Sequence, residues 1–314
     1  MVPGTPLPVV PTLLPAGRPS ALVGDYGRLR ELCPVLRLHL LDPAEPDPSA
    51  ADGWYSGAEL AADERALAAV LAGQEDRIAA EHGRAPRPHV TASRLLHHYA
   101  WSVCLLIAGP WHLARRVPQV DPADLWLHAP TGALALRPRG HVALPGDDEL
   151  RAELRAAVVA HLAPVLAAFA GPTRRRDRAL WGMVTDDLSS AVWYLGRMLD
   201  AEWAAADGVG TDRAVEGGTA TEGTVEGGTV EGGTAEDAGT VGEDAAVAAA
   251  TALLPGGTLP LPGAADFRRL RTPDGREHHT RTRLGCCLYY AVEPGAVACL
   301  TCPRTGDEER LRRF

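Results

Sequence analysis

The sequence has no lysine, so all of its 31 basic residues are arginines. Without lysine the chain cannot form a Schiff base with a carbonyl substrate, anchor pyridoxal phosphate or build a phosphate-binding P-loop. Aromatic residues make up only 5% of the chain, so the core must consist mainly of Leu, Val and Ala. The sequence also lacks a Gly-x-Ser-x-Gly elbow, a His-Glu-x-x-His motif and a dinucleotide-binding glycine pattern. These absences exclude several large classes of enzyme.

A membrane-spanning segment and a secretion signal are also missing from the sequence pattern. The most apolar segment, residues 99–108, has about half of the roughly 20 residues that a spanning helix needs, and Gly109-Pro110 ends it. The N-terminus is rich in proline and lacks the basic start and continuous apolar stretch of a signal peptide. We therefore expect a cytoplasmic protein, in which clustered cysteines are more often metal ligands than disulfides.

The net charge of −9 comes from one segment of low complexity. Residues 207–244 contain ten acidic residues and one arginine, which leaves 30 acidic and 30 basic residues in the rest of the chain. A neutral body gives no support for nucleic-acid binding, which needs a concentrated basic surface. Variants of VEGGT recur in the acidic segment, and it lacks the large apolar residues that would offset the entropy of ordering it.

The pattern predicts an α+β protein with a mainly helical body, a small β component and a C-terminal module, formed from a β-hairpin and loops, that contains four cysteines. The predicted order is a proline-rich leader (1–20), the body (21–206), a disordered acidic linker (207–245) and the module (246–314). Apolar periodicity predicts helices over 56–81, with Ser56 as N-cap, and over 90–116, the latter buried nearly all round and kinked or divided at Pro110. Further helices are predicted over 147–170, 176–206 and 245–254, and residues 125–136 read as a β-hairpin.

Four cysteines near the C-terminus have the spacing of a single metal site. The order is Cys286-Cys287, eleven residues, then Cys299-x-x-Cys302. A predicted hairpin, with strands over 288–292 and 296–300 around a Glu-Pro-Gly turn, would bring all four thiols to one end. A structural zinc site, a [2Fe–2S] cluster and two disulfides all remain open on spacing. Zinc knuckles carry a spacer within each pair, whereas a cluster binds two thiolates per iron and tolerates wider separation. Cys33 and Cys104 lie in apolar contexts and are predicted to be buried thiols.

The segment RTRLGCCLYY, followed by CLTC, resembles the C-terminal signature of the FhuF-like ferric siderophore reductases. The resemblance covers about the last 35 residues, and the spacing of eleven is one residue longer than the family's. It implies a [2Fe–2S] cluster whose ligands would be Cys286, Cys287, Cys299 and Cys302. It also implies an oxidoreductase of iron homeostasis that passes one electron from an unidentified donor to cytoplasmic ferric siderophore, of hydroxamate type, and so releases Fe(II). No acid–base pair or nucleophile is required for such a reaction.

Two other functions stay open. The cysteine site could belong to a non-catalytic zinc- or cluster-binding structural or regulatory protein, or to an accessory protein of siderophore assembly. Arginines also precede the cysteines, and Arg281 and Arg283 are the nearest. They could tune a negatively charged cluster or attract an anionic chelate or electron donor; the alternative is a solvated, charged loop.

Overall fold

A computed structural model describes residues 19–206, 241–292 and 295–314. The predicted leader, except for its last two residues, and residues 207–240 of the predicted acidic linker lie outside that range. The helices are α1 (Pro19–Leu32), α2 (Gly57–Ala62), α3 (Glu64–His82), α4 (Pro88–Ala114), α5 (Asp147–Thr173), α6 (Asp177–Ala206), α7 (Val241–Leu253) and α8 (Asp307–Arg313). The strands are β1 (Leu38–Leu40), β2 (Trp54–Ser56), β3 (Val117–Gln119), β4 (Leu125–His128), β5 (Leu134–Leu136), β6 (Gly140–Val142), β7 (Phe267–Arg271) and β8 (Glu277–Arg281). The predicted fold class, α+β and mainly helical, is confirmed.

Helix α4 is the centre of the fold. Its residues are apolar nearly all round and are buried from Val90 to Trp111, because α1, α3, α5 and α6 all pack against it. The helix continues through Pro110 to Ala114, so of the two predicted effects of that proline, a kink or a division, the division is wrong and the kink stays a prediction. Pro110 lies only about one turn from the C-terminal end, so the missing N–H removes little of the helical hydrogen bonding.

The predicted helix over 56–81 is two helices. Ser56 is the N-cap of α2 as predicted: its Oγ accepts from the N–H of Glu59 at 3.1 Å, and the Glu59 carboxylate accepts from the N–H of Ser56 at 2.7 Å. The chain then breaks at Asp63, whose side chain accepts from the N–H of Arg65 at 2.8 Å and begins α3. An aspartate can end one helix and cap the next, a change that apolar periodicity does not reveal.

Three small sheets contribute the β component. The predicted hairpin over 125–136 is present as β4 and β5, with Leu127 opposite Leu134. These strands form the middle of a sheet of order β1-β5-β4-β2, in which β1 runs parallel to β5. The pairs β3–β6 and β7–β8 are antiparallel. The first sheet borders the helical core, and β7–β8 leads directly into the cysteine segment.

Helix α5 is 27 residues long and largely apolar. Within the described parts of the chain it is the one helix long and apolar enough, by length and composition, to cross a membrane. Its buried residues Leu150, Leu154, Val158, Leu162 and Phe169 recur at helical spacing and belong to the main core. The apolar character of α5 is thus used in packing against α4 and α2.

Helix α7 joins the C-terminal part of the chain to the body. It begins at Val241, four residues before the predicted start, and packs along α6. The two backbones approach so closely that a Cβ on Gly196 would lie 2.4 Å from the Cβ of Ala246. Ala246, Ala250 and Leu253 are buried in the same core as α4 to α6.

Candidate metal centre

The four cysteines lie in a segment without regular strands, between β8 and α8. The predicted hairpin over 288–300 is wrong in the part that the structure describes. Leu288 has φ +66°, residues Tyr289–Ala291 form a 3-10 turn, and no strand follows over 295–300. The reason is that Val292 packs against Ile78 and Val90 of the body and does not face a partner strand.

The structure brings three of the thiols together in pairs. The Sγ atoms of Cys286 and Cys302 are 3.7 Å apart, and the side chains of Cys302 and Cys299 are hydrogen-bonded. Two thiolates on one tetrahedral metal ion, each with a metal–sulfur bond of about 2.3 Å, would be about 3.8 Å apart. Cys287 is buried and close enough to Cys286 to affect its ionisation electrostatically. Cys33 and Cys104 are buried in the core, as predicted.

Backbone hydrogen bonds fix the Cys299-x-x-Cys302 turn. The N–H of Cys302 donates to the carbonyl of Cys299 at 3.1 Å, and the N–H of Thr305 donates to the carbonyl of Cys302 at 3.0 Å. Arg310 of α8, which is buried, donates to the same Cys302 carbonyl at 3.1 Å. The N–H of Arg283 donates to the carbonyl of Thr301 at 2.9 Å and so ties the first cysteine pair to the second.

Asp186 of α6 holds the backbone that leads into Cys286. It is completely buried, and its carboxylate accepts from the N–H groups of Leu284 and Gly285, both at 2.9 Å. The same carboxylate accepts from the guanidinium of Arg281 at 2.7 Å. Burial raises the pKa of Asp186, against the lowering effect of the two arginines and the two amides. Sequence reasoning missed this residue, although two adjacent acids in an apolar helix were a visible signal.

Arg281 and Arg283 are buried, which corrects the view of them as part of a solvated loop. Arg281 pairs with Asp186, and Arg283 donates to Asp187 at 2.7 Å, with all four side chains fully buried. His97 of α4 also lies 2.7 Å from Asp187. Neither guanidinium can reach an anionic chelate or donor in solution. A role in tuning a cluster stays a prediction. Of the other arginines before the cysteines, Arg268, Arg269 and Arg276 form ion pairs with acidic side chains, while Arg271 donates to the Gly275 carbonyl.

Two further arginines, Arg94 and Arg175, contact the cysteines, and the sequence did not single them out. Arg94 of α4 donates to the Sγ of Cys287 at 3.1 Å. Arg175, in the turn between α5 and α6, donates to the carbonyl of Cys286. Burial lowers the pKa of Arg175, and the nearby thiols of Cys286 and Cys287 oppose that shift. Both side chains therefore bring guanidinium groups next to the first cysteine pair.

Backbone amides also point at the sulfurs. The N–H of Leu288 donates to Cys286 Sγ at 3.3 Å, and the N–H of Arg304 donates to Cys302 Sγ at 3.5 Å. Hydrogen bonding from Cys299, together with the Arg304 amide and Arg283, holds the pKa of Cys302 below its usual range, while burial raises that of Cys286. The arrangement therefore favours the thiolate of Cys302, the form that a metal–thiolate site requires, whereas burial opposes the thiolate of Cys286.

Four thiols on one segment are a donor set that fits a [2Fe–2S] cluster. Among the residues that the structure describes, no three His, Cys, Asp or Glu side chains are grouped around a point where a single metal ion could bind. A structural zinc site needs four ligands around one point. A [2Fe–2S] cluster needs two thiolates on each of two irons, and the pairwise approach of the cysteines is compatible with that requirement.

Comparison with known proteins supports the same cofactor. A family model described as the FhuF 2Fe-2S C-terminal domain matches residues 283–304, a range that includes all four cysteines. A comparison with curated proteins finds no match to the chain. The match covers only the cysteine segment and does not extend to the helical body. Residues 283–304 therefore form an FhuF-like domain, and its cofactor is a [2Fe–2S] cluster.

Proposed function

We propose that the protein is a cytoplasmic reductase of ferric siderophores, with Cys286, Cys287, Cys299 and Cys302 as the four cluster ligands. The match to the FhuF 2Fe-2S C-terminal domain over residues 283–304 carries the proposal. The approach of Cys302 to Cys286 and Cys299, and the absence of an acid–base motif in the sequence, support it. When bound, the cluster supplies a centre that accepts and releases one electron at a time.

The protein's own residues shield one side of this centre and leave the other accessible. Cys287 and Cys302 are buried, whereas Cys286 and Cys299 are only half-buried. On the buried side, Arg94 and Arg175 compensate negative charge on the thiolates. On the accessible side, a donor and a chelate can approach the sulfurs closely enough for electron transfer. The protein binds and orients its reactants and needs no proton donor for the transfer itself.

The substrate would be an iron(III) chelate of hydroxamate type. Hard oxygen ligands hold Fe(III) more tightly than Fe(II), so the addition of one electron to the iron weakens the chelate and releases the metal. The reaction consumes one electron for each Fe(III) and leaves the chelator intact. In this proposal the protein acts after siderophore uptake, in the cytoplasm.

The test begins with protein purified without oxygen. It should be red-brown and contain two irons and two sulfides per chain, as a [2Fe–2S] cluster requires. Protein reduced by an electron mediator and then mixed with a ferric trihydroxamate should yield Fe(II), detected with a colorimetric chelator. Colourless protein with one zinc would contradict the proposal, as would cluster-loaded protein that releases no Fe(II) from any ferric hydroxamate.

A matched pair of variants tests the ligand set. Cys302→Ala should lose the visible absorption bands and the Fe(II) release, because it removes a thiol that approaches two others. Cys33→Ala should retain both, because Cys33 is buried in the core just after α1 and its hydrogen-bond partners lie outside the cysteine segment. A full complement of cluster in C302A would remove that residue from the ligand set.

A further inference from the structure

Exposed arginines lie beside the cysteine segment on the side of α5 and α6. The chain between these helices reads Arg174-Arg175-Arg176-Asp177-Arg178. Arg175 turns inward to the Cys286 carbonyl, while its neighbours Arg174, Arg176 and Arg178 are exposed. Consecutive Cα atoms are about 3.8 Å apart, so the backbones of these three arginines lie close to that of Arg175, whose side chain contacts Cys286.

More exposed arginines approach the same segment from other directions. Arg304 lies two residues after Cys302, and its guanidinium lies 4.4 Å from the ring centroid of Tyr290. The loop before α4 carries two more, and this loop is close because Val90 in the first turn of α4 packs against Val292. We call the full set the arginine collar: Arg84, Arg87, Arg174, Arg176, Arg178 and Arg304.

The collar gathers six exposed arginines around the cysteine segment. Within the described ranges, no ion pair is formed by a collar side chain, and Asp177 is the acid that lies in sequence among them. Some exposed arginines elsewhere form ion pairs, such as Arg115 with Asp147 and Arg312 with Glu308, whereas others in the described ranges, such as Arg30 and Arg65, do not. The body as a whole is neutral, so the collar concentrates positive charge at the cysteine segment.

Exposed apolar side chains lie close to the same cysteines. Leu284, two residues before Cys286, is 49% exposed, and Val297, two residues before Cys299, is 61% exposed. Leu284 rests on α6, where a Cβ on Gly182 would be 3.5 Å from it. Apolar contacts within a charged rim are typical of surfaces that bind proteins transiently.

A hydroxamate chelate does not account for the collar. Three hydroxamate anions neutralise one Fe(III), so such a chelate is uncharged and gains little from six arginines. We propose that the arginine collar is the docking surface for an acidic protein that donates single electrons. This inference rests on the proposed function and names its electron donor by class. The donor loses one electron and chelated Fe(III) gains it, with no group transferred.

The test uses the full, cluster-loaded chain and a defined donor, a reduced acidic plant-type ferredoxin. The variant R176E/R178E reverses two collar charges. The control R30E/R65E makes the same charge change elsewhere, since Arg30 and Arg65 are exposed on α1 and at the start of α3. Arg65 is 13 residues from Ile78, or about 20 Å along the helix axis. Cluster reduction is followed by stopped-flow, and binding of oxidised ferredoxin is measured by titration calorimetry at low salt.

Electrostatic steering raises association rates by about 10- to 1,000-fold and is screened by salt. At low salt we expect R176E/R178E to be reduced about tenfold more slowly by ferredoxin than the wild type, and to bind it correspondingly more weakly. Both differences should vanish in about 0.5 M salt, where the Debye length is only a few ångströms. Reduced methyl viologen, a small cation, should reduce this variant at least as fast as the wild type, which a misfolded variant would not allow. The control variant should match the wild type with both reductants.

Three outcomes would overturn the inference. The first is that ferredoxin reduces R176E/R178E as fast, and binds it as tightly, as it does the wild type and the control. The second is an equal loss in R30E/R65E, which would reflect net charge alone. The third is that R176E/R178E alone releases less Fe(II) than the wild type after both are reduced by methyl viologen. That result would mean that the collar binds the chelate. If viologen-reduced wild type releases no Fe(II), the proposed reductase function fails, while the ferredoxin arm still tests docking.

Discussion

Replacement of Asp186 by alanine should both destabilise the fold and release the backbone before Cys286. The carboxylate pairs with Arg281 at 2.7 Å and accepts two backbone N–H groups, all at a fully buried position. Loss of one partner of a buried ion pair costs about 3–5 kcal/mol, because the other charge stays buried without compensation. Each buried amide that loses its acceptor adds about 1–3 kcal/mol, unless the loop opens to water.

We therefore expect D186A to lower the free energy of unfolding by about 4 kcal/mol, with further loss relieved by opening of the Leu284–Gly285 segment. Urea denaturation without oxygen, followed by the far-ultraviolet circular dichroism of the helices, measures this change. Iron and sulfide per chain after reconstitution measure the second effect, and both should fall. The control D76A removes an exposed carboxylate from α3 and should change the stability by no more than about 0.5 kcal/mol.

The reasoning would be refuted by a D186A protein that unfolds within about 1 kcal/mol of the wild type and incorporates a full cluster. Such a result would mean that Arg281 finds another partner and that the loop is held from elsewhere. D186N refines the test, because its amide oxygen can accept one of the two N–H bonds. We expect D186N to lie between D186A and the wild type in both measurements.

Three further predictions concern other parts of the molecule. Burial lowers the pKa of His161 to about 4 from its usual 6.5, so between these pH values the unfolded chain binds a proton that the folded chain does not. The free energy of unfolding is therefore highest above pH 6.5 and falls by about 1 kcal/mol per pH unit towards pH 4. Urea titrations should show a shallower fall in H161Q, and an unchanged slope would contradict the assignment. Arg94→Gln should lower the midpoint potential by on the order of 50 mV in a redox titration, because a charged donor to sulfur is lost, whereas R65Q should not. Gly73→Ala should lower the unfolding free energy by about 1–3 kcal/mol, since its Cβ would lie 2.3 Å from the Ala129 carbonyl oxygen; an unchanged urea midpoint would mean that α3 shifts freely.

Elements whose packing is dictated by local pattern were predictable from the sequence. The all-round apolar character of α4 correctly predicted its burial, and the Pro-Thr-Gly turn correctly predicted the β4–β5 pair. The capping role of Ser56 followed from local hydrogen-bonding chemistry. In each case the deciding interaction lies within a few residues of the signal.

Elements decided by distant partners were not predictable in the same way. Residues 288–292 have β propensity, but Val292 contacts Ile78 and Val90, more than 200 residues earlier in the chain. The arginines before the cysteines have the composition of a surface loop, and their burial depends on Asp186 and Asp187 lying opposite. A single sequence does not reveal which charges meet across such distances.

The two buried ion pairs have a consequence for what can be regarded as a separable part of this protein. The domain matched by the family model begins at Arg283, which pairs with Asp187. Arg281, which pairs with Asp186, lies two residues before it. The domain's shape comes from neighbours beyond its own ends: α4 supplies Arg94, α6 supplies the two acids, and α8 supplies Arg310. The stretch recognised by sequence comparison thus lacks several of the residues that hold its own backbone and thiols in place. A graft of residues 283–304 onto another scaffold would carry the thiols but leave behind the charges that position them.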